Sequence, residues 1–165
     1  MFSDNFPFYK QLDASDCGVA CLRMIARNYG RHYSLEYLRD LSYLDREGVS
    51  LMGISDAAEK VGFRTLGVKT GFKRLSEDIP LPCVAHWQQD HFVVVYKISA
   101  GKVFVADPKI GKIELQEQEF LNGWISDVVN TEAQGILLLM EPTPDFYERE
   151  GEKNDRSGLR FLWPY

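Results

Sequence analysis

The sequence predicts an α+β fold, in which N-terminal helices pack on a mostly antiparallel sheet built from the C-terminal part. Two observations predict it. Apolar residues recur at helical spacing as far as position 62, whereas after position 64 the period changes towards two. The two patterns also follow one another instead of interleaving, which separates this chain from an alternating βαβ design.

Residues 17–29 (CGVACLRMIARNY) read as the first helix. Val19, Ala20, Leu22, Met24 and Ile25 include helix-spaced apolar pairs, and Gly30 stands where a left-handed C-cap belongs. Ser34 then precedes LEYL, with Leu38 and Leu41 behind it, which reads as an N-cap and a short second helix. Ser50 opens a third, with Ile54, Ala57, Ala58 and Val61 inward and Gly62 ending it. Strands are predicted over residues 65–69, 82–87, 92–98, 102–106, 112–115 and 135–140, punctuated by Gly, Pro and Asp. Residues 117–121 add a helical turn or more.

The last stretch differs in composition. Pro142 and Pro144 are followed by a charged segment over 148–156 and then by LRFLWPY. The expected division is a domain over 1–141 and a charged linker with an aromatic tail over 142–165. That tail either folds back on the domain or leads into something further, and its apolar character favours the second.

A chain of 165 residues is long enough for one domain with a real core. Its net charge of −5, with basic residues scattered, excludes the clustered Lys and Arg that nucleic-acid binding requires. No nucleic-acid partner is expected. The N-terminus lacks the apolar region of a secretory signal, and the longest apolar runs are strand-sized. The odd cysteine count, at positions 17, 21 and 83, implies at least one free thiol and a reducing setting.

Chemistry concentrates in QLDASDCGVAC. Cys17 lies where a loop turns into a helix, facing the positive end of the helix dipole, and both the dipole and the first-turn N–H groups favour a thiolate. Gly18 is expected to let a substrate backbone approach. A buried, inert helix cysteine is the plainer reading of such a residue, and it fits Cys21 and Cys83 better. Gln11, six residues before Cys17, carries an amide that with the Cys17 N–H would form an oxyanion hole.

Of three histidines, His32 sits in an interhelix loop and His86 inside an apolar strand. His91 opens a strand directly after the polar turn Gln88-Gln89-Asp90, at a rim where functional groups gather. Ser99-Ala100-Gly101 reads as a three-residue hairpin loop, which pairs Ile98 with Lys102 and so Val93 with Asp107. His91 and Asp107 then become diagonal neighbours on one face. A slip of one residue would separate them. The order Cys, His, Asp, with Cys on an N-terminal helix and the others on a following sheet, is the papain arrangement.

These segments carry a resemblance. QLDASDCGVAC, YSLEYLR at 33–39, GVSLMGISDAAEKVGF, LPCVAHW, DHFVVV and VFVADPKIGK resemble the C39 peptidases, the N-terminal peptidase domains of bacterial ABC transporters that export bacteriocins and other peptides. The resemblance implies a papain-like cysteine peptidase fold and aligns Gln11, Cys17, His91 and Asp107 with the oxyanion glutamine, nucleophile, base and orienting acid. It also implies cleavage of a cargo's leader peptide after a double-glycine motif. The expected partners are that leader and the transmembrane and nucleotide-binding domains of a parent transporter, itself a homodimer. The expected location is the cytoplasmic face of a bacterial membrane.

No metal and no cofactor is expected in this domain. ATP belongs to a nucleotide-binding part, since no GxxxxGK[ST] element is present. Two other readings stay open. One is a non-catalytic docking domain of a transporter, and the other is a Cys-His-Asp acyl-transfer enzyme of another kind.

Overall fold

The computed structural model describes residues 5–42 and 49–149. Three helices come first: α1 (Cys17–Asn28), α2 (Leu35–Leu41) and α3 (Leu51–Lys60). Their caps are the expected ones. The Ser34 side chain accepts from Tyr37 N–H and that of Ser50 from Gly53 N–H, each satisfying a donor the helix cannot. Gly30 and Gly62 follow α1 and α3 at φ of 98° and 108°, where a Cβ would be strained.

The remaining elements are β1 (Phe63–Thr70), α4 (Phe72–Glu77), β2 (Cys83–Trp87), β3 (His91–Ser99), β4 (Lys102–Asp107), β5 (Gly111–Gln116), α5 (Glu117–Trp124), β6 (Ile125–Val129), β7 (Glu132–Pro142) and α6 (Pro144–Glu148). The sheet runs β1-β7-β2-β3-β4-β5, with β6 paired to β7, and every pairing is antiparallel. The α+β expectation therefore holds.

Both faces of the sheet are covered, which is why β2, β3 and β4 read as nearly continuous apolar runs. Val84, Phe92, Val94, Ala106 and Leu138 meet the α1–α3 side. Cys83, Ala85, Val93, Val95, Val103, Val105 and Leu137 meet Leu75 of α4 and Phe120 and Trp124 of α5. The alternation of strand side chains sorts them into two cores.

Short elements escaped the sequence reading. α4 and α6 have six and five residues, below what a 3.6-residue period can reveal. β6 is mostly exposed, so it shows no apolar alternation. The packing also continues past residue 141. Phe146 of α6 is fully buried against Phe63, and Thr143 donates to the Gly62 carbonyl through both N–H and Oγ1. Arg31 donates to the Phe146 and Arg149 carbonyls, both at 2.8 Å. The rest of the charged segment and LRFLWPY lie outside the described residues.

The β3–β4 hairpin corrects the expected register. Ser99 pairs with Lys102 and Ile98 with Val103, so the loop has two residues, Ala100 and Gly101, both at positive φ (52° and 76°). That is the geometry of a type I′ turn, whose twist suits a two-residue hairpin. The register then shifts between Val95 and Lys97, where Tyr96 is the extra residue of a bulge. Beyond the bulge Val95 faces Val105 and Val94 faces Ala106, the alignment the three-residue loop would have produced. The turn expectation was wrong, and the bulge restored its consequence at the far end.

Candidate active site

Cys17 is the first residue of α1, set there by a short 3₁₀ turn (Ala14–Asp16). The turn has its own cap: Asp13 Oδ1 accepts from Ser15 N–H at 2.8 Å and Ser15 Oγ at 2.5 Å, and Asp13 N–H donates to Asp16 Oδ2 at 3.2 Å. The Asp16 carboxylate is completely buried, and Arg39 of α2 grips it through Nε and Nη2, at 3.1 Å and 2.7 Å to Oδ1 and 2.7 Å to Oδ2. This ion pair escaped the sequence reading. Asp16 and Arg39 are 23 positions apart, and only the packing of α1 on α2 joins them.

The first residue of β3 is His91, paired with Trp87 across a turn whose Gln88 and Gln89 have φ of 49° and 71°. Its Nε2 lies 2.6 Å from Asp107 Oδ1 at the end of β4. Asp107 is nearly buried, and the same oxygen accepts from Lys109 N–H at 2.9 Å, so the turn after β4 holds the carboxylate in place. Cys17 is near enough to the His91 ring to act on its charge. With Nε2 committed to Asp107, Nδ1 is the ring nitrogen left for another partner. Burial pushes the His91 pKa down, but Asp107 and then Cys17 outweigh this and raise it to about 9. Near neutral pH the ring is therefore an imidazolium.

Gln11 approaches from the N-terminal segment. Its backbone N–H donates to the Pro108 carbonyl at 2.9 Å, tying it to the turn beside Asp107. Its Nε2 donates to the Asp13 carbonyl at 3.0 Å, while Oε1 is buried with no partner among the described residues. Reversing the amide would set Oε1 against the Asp13 carbonyl, so Asp13 fixes which end carries the N–H groups. Gln11, His91 and Asp107 line one cavity of about 440 Å³ with Trp87, Gln88 and Ile110. Gln11, His91 and Asp107 thus meet at this cavity, while Cys17, which is buried, does not line it but lies near His91.

The other sequence candidates lie elsewhere. His32 is exposed in its loop, and His86 sits within β2 with its ring 5.2 Å from Phe92. All three cysteines are unpaired. Cys21 and Cys83 are fully buried, and burial raises both thiols, Cys83 to about 12. Cys21 Sγ donates to the Phe92 carbonyl at 3.4 Å, pinning α1 to β3. Gly18 has a different purpose from the one expected. It is buried, and a Cβ there would lie 2.7 Å from Ile54 Cδ1, so it lets α1 pack on α3 and does not open a path for substrate.

Two other depressions carry no comparable chemistry. One of about 330 Å³ crosses β1 and β7 over Leu66, Leu139 and Met140, with an exposed Arg64–Glu141 pair. The other, of about 280 Å³, lies beside His86 and Trp124. Among the described residues no group of three His, Cys, Asp or Glu is placed to hold a metal ion, and no helix is long and apolar enough to cross a membrane.

Comparison with known proteins bears on the family and the fold. The model of the Peptidase C39 family matches residues 5–144. The lactococcin-G-processing and transport ATP-binding protein LagD of Lactococcus lactis subsp. lactis is 38% identical over 141 residues, covering 82% of this chain and 19% of that protein. The transport/processing ATP-binding protein ComA of Streptococcus pneumoniae (strain ATCC BAA-255 / R6) is 31% identical over 151 residues, 87% of this chain and 20% of that one. The crystal structure of a double glycine motif protease from an AMS/PCAT transporter, in complex with the leader peptide, superposes with a TM-score of 0.74 at 27% identity, covering 83% of this chain and 91% of that chain. The peptidase domain of Streptococcus ComA gives 0.72 at 28% identity, covering 84% and 100%.

Fold and site define a papain-like cysteine peptidase domain. The chain belongs to the peptidase C39 family. It spans about a fifth of the length of the curated relatives it matches.

Proposed function

We propose that this domain is the leader peptidase of a peptide-exporting ABC transporter, cutting after a double-glycine motif with Cys17 as nucleophile. The observation that carries the reading is the His91 ring, held by Asp107 at 2.6 Å and close enough to Cys17 for the two to act on each other's charge. The relatives named for processing and transport, and the neighbour described with a leader peptide, support the substrate class.

In this mechanism the Cys17 sulfur attacks the carbonyl carbon of the leader's last Gly, forming a C–S bond. The oxyanion is met by the Cys17 N–H and by the second N–H of Gln11 Nε2, whose first is held by Asp13. The His91 imidazolium gives its proton to the departing amine as the C–N bond breaks, leaving a thioester. Water then attacks the thioester and loses a proton to His91, and the C–S bond breaks to release the leader and return Cys17. Asp107 holds the ring and its charge throughout. Glycine is selected because its backbone can be pressed into a narrow channel where a side chain cannot.

The leader peptide and the membrane-spanning and nucleotide-binding parts of a homodimeric transporter are the partners of this reading. The domain then works at the cytoplasmic face of a bacterial membrane, with ATP used only by the nucleotide-binding part. The peptidase step itself calls on no cofactor or metal.

Mass spectrometry of the domain with a synthetic double-glycine leader peptide tests the proposal. Cleavage after the second Gly by wild type, and none by Cys17→Ala, is the expected result. Binding without cleavage would replace the proposal with a docking module. Transfer to added amines, or deamidation of glutamine peptides, would replace it with another acyl-transfer enzyme.

A further inference from the structure

Asp16 occupies the N-cap position of α1, immediately before Cys17. An aspartate there ordinarily turns its carboxylate onto the N–H groups of its own helix. Here it makes no such bond. Both oxygens are turned to Arg39, and Oδ2 also takes the Asp13 N–H. The carboxylate is fully buried, while the Arg39 side chain is 30% exposed. A buried carboxylate so close to the nucleophile would oppose negative charge on sulfur, and on a substrate oxyanion, unless its own charge were matched.

We propose that Arg39 is a positioning residue for the peptidase reaction: by gripping Asp16 it keeps that carboxylate off the N-terminus of α1 and neutralises its charge beside Cys17. The inference rests on the reading of Cys17 as nucleophile. Arg39 suits the task because its fork binds the carboxylate through two nitrogens, a geometry that a lysine cannot copy. The grip also joins α2 to the turn that aims Cys17, and Ser42 reinforces it by donating N–H and Oγ to the Arg39 carbonyl at 3.1 Å and 2.9 Å.

The charges around Cys17 come from every side. His91 of β3 and Asp107 of β4 lie on the sheet, Asp13 and Asp16 precede the helix, Arg39 comes from α2, and Cys21 sits one turn further along α1. At the start of α1, α3 contributes Ile54, which is apolar. Arg39 is therefore the cation directly bonded to Asp16 among the described residues.

The test is the pH dependence of Cys17 alkylation by iodoacetamide, which needs no peptide and so does not depend on what the enzyme cleaves. Arg39→Met is expected to slow alkylation near pH 7 about tenfold and to move the profile up by roughly one pH unit. Removing the carboxylate as well, in Asp16→Asn/Arg39→Met, is expected to return the profile towards wild type, and Arg39→Lys should fall between. A merely structural pair would lower thermal stability and leave the profile of the folded protein unmoved, which overturns the proposal. A double variant no better than Arg39→Met overturns it too. If Arg39→Met does not fold, Arg39→Lys and the double variant carry the same comparison, and unmoved profiles in both reject the proposal. Failure of the wild-type domain to cleave a leader peptide, alongside a shifted profile in Arg39→Met, would count against the substrate reading alone.

Discussion

His91 Nε2 meets Asp107 Oδ1 at 2.6 Å although the strands carrying them leave their shared turn one residue out of the register that contact requires. Tyr96 supplies the missing residue as a bulge, and its ring stacks on Phe6 of the N-terminal segment at 4.6 Å. A local irregularity in the middle of β3 thus sets the geometry at its end.

Asp107→Asn keeps the shape and most of the bonding of this pair but removes its charge. The expected outcome is a fall in kcat on the order of 10²-fold or more. The alkaline limb of the pH–rate profile should also move from near 9 towards the ordinary histidine range, because Asp107 is the principal group raising His91 against its burial. Steady-state kinetics across pH 5–10, a range chosen to span both about 6.5 and about 9, would check both outcomes.

The same interaction makes stability depend on pH. The folded His91 value of about 9 lies above the unfolded value of about 6.5, so the folded state binds the extra proton more tightly. Its contribution is complete below about pH 6.5 and is lost as pH rises through about 9, amounting to at most about 3 kcal/mol. Urea midpoints should fall over that window in wild type. They should fall less in His91→Ala; equal slopes in the two proteins would contradict the assignment.

Gly18 and Ile54 offer a packing test. A methyl at position 18 would lie 2.7 Å from Ile54 Cδ1 and 2.8 Å from its Cγ1, inside a core where Ile54 is wholly buried. Gly18→Ala should cost about 1–3 kcal/mol by urea unfolding. Adding Ile54→Val, which deletes Cδ1, should recover part of this. KM for a leader peptide should barely change in the double variant, since position 18 faces α3 and not the cleft.

Gln11→Ala removes the amide that Asp13 orients. The expected loss is on the order of 10²–10³ in kcat with little change in KM, as befits a contact made mainly in the transition state. Wild-type turnover in this variant would show that the oxyanion is held by other groups.

The helices were legible because each is written locally. Ser34 and Ser50 announce N-termini, Gly30 and Gly62 announce ends, and apolar spacing marks the face between them. The longer strands were legible by their period. The short α4 and α6, and the exposed β6, fall below the length or the burial contrast at which a period shows. Gly18 was misread because a glycine beside a nucleophile looks the same whether it admits substrate or a neighbouring helix.

By itself the sequence determined the α+β order of elements, the placing of Cys17 at a helix start and of His91 and Asp107 at strand ends, and the kinds of side chain available for acyl transfer. Those follow from spacing along the chain and from the chemistry of single residues. Tertiary structure alone decided that the Ala100-Gly101 turn would be offset by a bulge at Tyr96, that Arg39 would close on Asp16, and that Gln11 would be tied to Pro108 and Asp13. Each of these is a distance between residues far apart in sequence or the sum of two local choices, and such distances are set by how the helices and sheet pack.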